Sequence, residues 1–440
     1  MFFSFVFMVF PLNSITFVSK LGKLMKVLIV NTSELTGGAA VAAHRLMTAL
    51  NNNGVEAMML VGKKQTDHHS VVTVNRCLHT LHFLWERWCI FFHQCFSRKN
   101  LFKIDIANAG TDITRLKEFR EADVIHLHWI NQGMLSLHSL QKILESGKPV
   151  VWTMHDMWEL TAICHHVYEC NCYETECGHC PYLRRAGDAD LAHRVFHRKQ
   201  QIYANAQRLH FVAVSNWLAA CARRSTLIGR LPITTIPNSI SLEQFVPIDR
   251  SVARKQLGIG ERYVISFGAA RIDDPIKGFE YLVNAMRKLV ETGRFAASEV
   301  RLLLFGGIRR PELLQEIPVP YTLLGYINSE KTLSQIYSAS NVTVSSSFYE
   351  TFGQTLIEAQ ACGSIPVSFA GSGQADIIEH LHTGYLAERL SVDDLAQGIA
   401  WGLTADIPLQ QLRENVVSRY SEDVVASQYQ QLYQSITQKS

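Results

Sequence analysis

The sequence predicts an α/β protein built as two Rossmann-like domains facing across a cleft, and three observations carry that prediction. Short apolar runs rich in Val, Ile and Leu recur with helix-like stretches between them, the pattern of parallel strands buried on both faces by crossover helices. The alternation is interrupted once, at Leu231-Pro-Ile-Thr-Thr-Ile-Pro-Asn-Ser239, which separates one series from a second. At 440 residues the chain is too long for a single ordinary core and suits two domains.

Taken in order, the strand-like runs of the first series are Val27 to Val30, Ala57 to Val61, Val124 to Leu127, Val150 to Met154 and Phe211 to Val214. Those of the second are Tyr263 to Gly268, Val300 to Phe305, Val342 to Val344 and Ser364 to Val367. A first domain is therefore expected over 25–240 and a second over 241–420. The final segment, 421–440, carries a helical pattern from Glu422 to Ile436 that is expected to pack back across the junction. Residues 1–24 stand apart: Met1 to Phe10 is intensely apolar but is broken by Pro11 and Asn13, short of the roughly 20 residues a spanning helix needs. It lacks the basic flank of a signal peptide. Met25, directly before the first strand, reads as the natural start, with the upstream stretch a gene-model extension or a weak anchor.

Composition narrows the function classes. Hydrophobic content of 47% and aromatic content of 10% are those of a folded globular protein. Lysine and arginine total 42 against 39 acidic residues, a formal charge of +3, which is no nucleic-acid footprint. With no spanning segment in the sequence, the expectation is a cytoplasmic protein, soluble or resting on the inner face of a membrane. The 18 histidines, many between His68 and His210, imply that the first half gains positive charge on mild acidification.

Glu350 and Glu358, eight apart, frame the most informative stretch, Ser345-Ser-Ser-Phe-Tyr-Glu-Thr-Phe-Gly-Gln-Thr-Leu-Ile-Glu358. An apolar run ends in serines, one carboxylate falls in the loop, and a helix opens near Gly353 with the second carboxylate about two turns in. Carboxylates accept hydrogen bonds from vicinal hydroxyls, and a helix N-terminus favours negative charge, so Gly353, Gln354 and Thr355 with the two acids suit a sugar nucleotide. A bare Glu-x7-Glu spacing also arises by chance; the strand, loop and helix around it raise this one. Gly37 and Gly38 follow the first strand and open a helix over Val41 to Leu50, a place for a phosphate or an acceptor hydroxyl, though two glycines alone read equally as a tight turn. Arg271 and Lys277 flank the loop after Tyr263 to Gly268, where they suit a diphosphate clamp; alone, two basic loop residues read as solvated surface. His155, in Thr153-Met-His-Asp156, ends a buried strand where a polar group would face the cleft, although a lone histidine is more often structural.

Together these motifs resemble glycosyltransferase family 4, the retaining transferases of GT-B fold also called glycosyl transferases group 1, and the resemblance covers everything from Met25 onward. It implies that Glu358 binds the ribose hydroxyls and Glu350 the donor sugar. Arg271 and Lys277 match the basic pair on the diphosphate, His155 the histidine near the transferred sugar, and Gly37-Gly38 the glycine turn near phosphate and acceptor. Gly371 to Glu379 and Thr383 to Leu386 resemble the family's ending. Gln354-Thr355 departs from the usual Leu-Pro, in a variant similar to polysaccharide-assembly enzymes. The activity implied is transfer from a nucleoside diphosphate sugar to a hydroxyl of a bacterial glycan or lipid-linked oligosaccharide in capsule, exopolysaccharide or O-antigen assembly. No cofactor is required, because GT-B transferases generally work without a catalytic metal. The rivals are a nucleotide-sugar epimerase or phosphorylase of the same fold, or a cysteine-rich metal-binding protein on an inactive scaffold.

Two features lie outside these motifs. Five of the ten cysteines fall within 164–180, and Cys177-x2-Cys180 has the bite of a zinc knuckle. In a reducing cytoplasm persistent disulfides are disfavoured, which leaves free thiols or a structural zinc. A comparable insert in a subset of these transferases matches Cys164, Cys170, Cys177 and Cys180, with Cys172 extra. Leu81 to Phe92, followed by Arg98-Lys99, mixes aromatic with basic residues and reads either as membrane-surface contact near a lipid-linked acceptor or as first-domain core.

Overall fold

The computed structural model describes residues 24–438; the expected extension, 1–24, lies outside them but for Leu24. Seven parallel strands form the first sheet: β1 (Lys26–Ser33), β2 (Glu56–Lys63), β3 (Val71–Thr73), β4 (Val124–Leu127), β5 (Val150–Met154), β6 (Leu209–Ala213) and β7 (Ile233–Thr235). Their order is β3-β2-β1-β4-β5-β6-β7. Six make the second: β8 (Tyr263–Arg271), β9 (Val300–Gly307), β10 (Tyr321–Leu323), β11 (Val342–Ser345), β12 (Ile365–Phe369) and β13 (Tyr385–Ala387), ordered β10-β9-β8-β11-β12-β13. Every pairing is parallel, and each sheet reverses its strand order once, at β1/β4 and β8/β11, the kind of position where open α/β sheets bind ligands.

All nine runs read from the sequence are strands. The four strands not foreseen, β3, β7, β10 and β13, are the sheet edges, each three residues long. A central strand buried on both faces reads as a continuous apolar run, whereas a short edge strand needs few apolar positions. One of them, β7, lies inside the segment expected to separate the domains, so that segment finishes the first sheet before it leaves it.

The last helix, Glu422–Thr437, lies on the first domain. Its Tyr429 and Tyr433 are buried with Val27 and Ile29 of β1, and Tyr433 Oη stands 2.7 Å from His126 Nδ1 while Tyr429 Oη stands 2.8 Å from Thr153 Oγ1. Burying apolar area against the other domain is what secures such a terminal helix, since isolated helices of this length are marginal in water. No helix among the described residues is long and apolar enough to cross a membrane.

Candidate active site

A cleft of about 950 Å³ opens between the two sheets, lined from the first domain by the loop after β1 and the end of β5 and from the second by the loops after β8 and β11. Of the residues singled out in the sequence, Gly37, Gly38, His155, Lys277, Glu350, Gly353, Gln354 and Thr355 all line it. Arg271 and Glu358 do not.

The loop after β1 turns at Gly37, whose φ of +93° is open to glycine at little cost, and the helix Gly38–Asn52 begins at once, three residues earlier than expected. On the facing side Gly353, at φ +110°, starts the helix Gln354–Ala361. The first N–H groups of a helix have no intrahelical partner, so two helix N-termini meet the cleft with donors to spare. Lys277 closes a short turn, Pro275–Lys277, and Gly278 behind it is at φ +65° with Ser346 O 2.1 Å from where a Cβ would sit. Only glycine lets the two chain segments approach so closely, and the approach brings Lys277 Nζ to 2.6 Å from Glu350 Oε2. Arg271 ends β8 and its Nη2 lies 2.6 Å from Oδ2 of the lining residue Asp274.

His155 stands at the C-terminal end of β5. Its Nε2 shares a 2.8 Å hydrogen bond with His128 Nδ1, and His128 is tilted over His126 with ring centroids 4.3 Å apart. Burial pushes His155 down to about 4, with Asp156 opposing, and His126 down to about 3; His128 falls well below the ordinary value for the same reason. The three rings are neutral at physiological pH, so the expected gain of charge on mild acidification does not extend to them. His166, also on the cleft wall, is likewise pushed down to about 4 by burial, against the pull of Asp156.

Next to His155, Asp156 accepts from Trp129 Nε1 at 2.9 Å and from the backbone of Trp158 at 2.8 Å, and pairs with His165 Nδ1 at 2.8 Å. His165 Nε2 reaches Asp105 Oδ2 at 2.6 Å, and Asp105 is held in turn by Arg87. Burial disfavours the charged imidazole, but the two carboxylates overcome it and raise His165 to about 10. This buried chain is absent from the sequence reading, whose signal for it, Asp156 beside His155, was in plain view. The other omission is Arg45. From the helix Gly38–Asn52 it crosses to the second domain, where Nη2 lies 2.9 Å from Glu358 Oε1 and 2.7 Å from Glu330 Oε1. Thr351 Oγ1 donates across the cleft to His155 O at 2.7 Å.

Cys164, Cys170, Cys172, Cys177 and Cys180 surround one small apolar cavity of about 20 Å³, roughly one ion or water, and all ten cysteines of the chain are free thiols. Burial pushes Cys177 up to about 11, against the pull of Lys199, and Cys180 up to about 12. They share the cavity without their sulfurs converging on a point. The ligand atoms that do converge among the described residues are those of Glu176, His193 and His197 alongside.

Two family models meet in this chain: Glycosyltransferase Family 4 matches 36–244 and Glycosyl transferases group 1 matches 249–419. An uncharacterised glycosyltransferase of Methanocaldococcus jannaschii is 23% identical over 370 residues, 76% of this chain and 90% of that one. The D-inositol 3-phosphate glycosyltransferase of Rhodococcus erythropolis is 26% identical over 226 residues, and the chain spans 50% of its length. Among solved structures, Anabaena HepE in complex with UDP-glucose superposes with a TM-score of 0.59 at 16% identity, covering 93% of this chain and 100% of that one. WaaG, a glycosyltransferase involved in lipopolysaccharide biosynthesis, superposes at 0.59 and 13% identity over 92% and 99%. At these identities the structural likenesses carry the fold, while the two models span both halves of the chain. The chain belongs to glycosyltransferase family 4, the glycosyl transferases group 1, and has their GT-B fold.

Proposed function

We propose that this glycosyltransferase moves a sugar, with retention at the anomeric carbon, from a nucleoside diphosphate sugar to a hydroxyl of a glycan or lipid-linked acceptor at the cytoplasmic face of a membrane. The observation that carries the reading is the pair Lys277–Glu350, 2.6 Å apart in the interdomain cleft with His155 on the opposing wall. A cation, a carboxylate and a neutral imidazole around one cleft suit a leaving diphosphate, a sugar's hydroxyls and a polar contact near the reacting carbon, respectively. That HepE is solved with UDP-glucose supports a nucleoside diphosphate donor, and the work of WaaG in lipopolysaccharide biosynthesis supports a glycan acceptor.

In this mechanism the bond between the anomeric carbon and the diphosphate oxygen breaks, and the acceptor oxygen bonds to the same face. Its proton passes to the departing diphosphate, so no protein base is required. Lys277 leaves Glu350 for the diphosphate, where it and Arg271 offset the developing charge. Glu350, released, takes the sugar hydroxyls. His155 serves as a neutral hydrogen-bonding group, and the N–H groups at Gly37-Gly38 and Gly353-Gln354-Thr355 face phosphate and acceptor oxygens. Glu358 takes the ribose once Arg45 gives it up.

The proposal includes a structural zinc on Cys164, Cys170, Cys177 and Cys180. The four thiols line one small cavity and are the soft sulfur ligands zinc takes; a zinc that drew them together would cross-link the 164–180 insert and take no part in transfer.

The test is donor-induced thermal stabilisation with a panel of UDP-, GDP- and other nucleotide sugars, on wild type and Lys277→Ala. One donor at a hundred times its Kd should stabilise the wild type by about 2.7 kcal/mol and the variant far less. With that donor, Glu350→Ala should lose about 10²–10³ in kcat. Product analysis with and without acceptor separates transfer from epimerisation and phosphorolysis. Failure of every nucleotide sugar to stabilise the wild type overturns the reading.

A further inference from the structure

The helix Arg76–His93 is apolar on both sides. Its inner face turns His79 and Phe83 to the cleft and buries Ile90 in the first domain's core. Its outer face carries Leu78, Leu81, Trp85, Trp88 and Phe92 at spacings of three and four, one continuous stripe, and every one of them is exposed. Trp85 and Trp88 are 54% and 55% exposed, Phe96 and Phe102 beyond the helix 64% and 62%. The rings stack into a ladder, Trp85 on Trp88 at 5.6 Å and Trp88 on Phe92 at 6.0 Å, closed by Phe96 edge-on at 5.7 Å. Core burial, one of the two readings open for Leu81 to Phe92, does not describe this stripe.

Charge decides what covers it. Between Arg76 and Lys103 the exposed charged residues are Arg76, Arg98, Lys99 and Lys103, all basic, while Glu86 and Arg87 are buried. A second copy of the chain packed on this face about a two-fold axis would bring like charges together. An anionic lipid surface instead meets the apolar stripe with its acyl boundary and the basic rim with its headgroups, and tryptophan is the side chain suited to that boundary. Contiguous apolar patches of this kind are rare on soluble monomers.

We propose that the outer face of the helix Arg76–His93, with Phe96, Phe102, Arg98, Lys99 and Lys103, seats the first domain on an anionic membrane, and that the same helix presents the cleft to an acceptor held there. The second clause rests on the reading of a lipid-linked acceptor; the first does not, and vesicle binding is measured without donor or acceptor, so the two fail separately.

The experiment is co-sedimentation of the full chain with vesicles of phosphatidylcholine alone and of phosphatidylcholine with phosphatidylglycerol. Three proteins are compared: wild type, the triple variant W85A/W88A/F92A and the charge-reversed variant R98E/K99E/K103E. Wild type should partition onto the anionic vesicles and be released by salt. The aromatic variant should bind about tenfold less or weaker still, and the charge-reversed one should lose its preference for phosphatidylglycerol. All substituted side chains are exposed or on the rim, and retention of the wild-type melting temperature and donor-induced shift confirms that the fold is intact. Three results overturn the proposal: no binding by wild type, binding unchanged in the aromatic variant (which would move it to the apolar run at 2–10), or a wild-type dimer that the aromatic variant converts to monomer while neither binds vesicles.

Discussion

Arg45 of the first domain places Nη2 2.9 Å from Oε1 of Glu358 in the second, with the guanidinium 5.2 Å from the Phe245 ring and Tyr337 Oη donating to the other carboxylate oxygen at 3.1 Å. Glu358 is thus held by the opposing domain, and under the proposed function, which gives this carboxylate to the donor's ribose, a nucleotide would have to displace Arg45. Removing Arg45 leaves Glu358 buried with Glu330 beside its former partner, which costs about 3–5 kcal/mol for an uncompensated buried charge. Burial already raises the Glu358 pKa, against the pull of Arg45, so without Arg45 it rises further. A carboxylate whose folded pKa lies above its unfolded one binds protons on folding, so its penalty is relieved as pH falls. Arg45→Ala should therefore recover stability on acidification relative to wild type, read from chemical denaturation at a series of pH values.

His165 between Asp105 and Asp156 sets the alkaline limit. Its pKa is raised to about 10, so the stability it contributes is complete below the unfolded value of about 6.5 and is lost as pH rises through about 10. Melting temperatures of wild type should fall between those limits, and His165→Asn should flatten that fall while lowering stability throughout. An unchanged alkaline profile in the variant would remove His165 from this role.

For the cysteine cavity, a strong chelator should lower the melting temperature and release about one zinc per chain, measured by atomic absorption. Cys177→Ser should mimic the chelator, whereas Cys172→Ser should not. Zinc-free protein with unaltered melting would leave the thiols as ordinary small apolar residues.

Two glycines in positive φ give a graded test of backbone geometry. Gly37→Ala meets no atom within 4 Å, but at φ +93° and ψ 161° it sits in backbone essentially reserved for glycine and should cost about 1–3 kcal/mol, the conformational term alone. Gly278→Ala adds a Cβ 2.1 Å from Ser346 O and must push the Lys277 turn away from β11, so it should cost clearly more and weaken donor stabilisation as Lys277→Ala does. Denaturation midpoints rank the pair.

Much of this protein is legible in its sequence because the signals are local. Central strands such as Val150–Met154 are apolar throughout, since helices cover both sides, and the turn at Gly37 and the serine-rich end of β11 mark the chain where it reaches the cleft. Resemblance assigns the family and names Lys277, Glu350 and His155. What tertiary structure alone decided are pairings across great sequence distances and the side of a helix that meets solvent. Arg45 finds Glu358 more than 300 residues on, His126 finds Tyr433, and Asp105 finds His165 only because two sheets and a returning helix bring them together. The helix Arg76–His93 shows the same limit in another form. With apolar residues on both sides, the pattern does not say which face is buried, and only packing against the first sheet turned Phe83 inward and left Trp85 and Trp88 in the open.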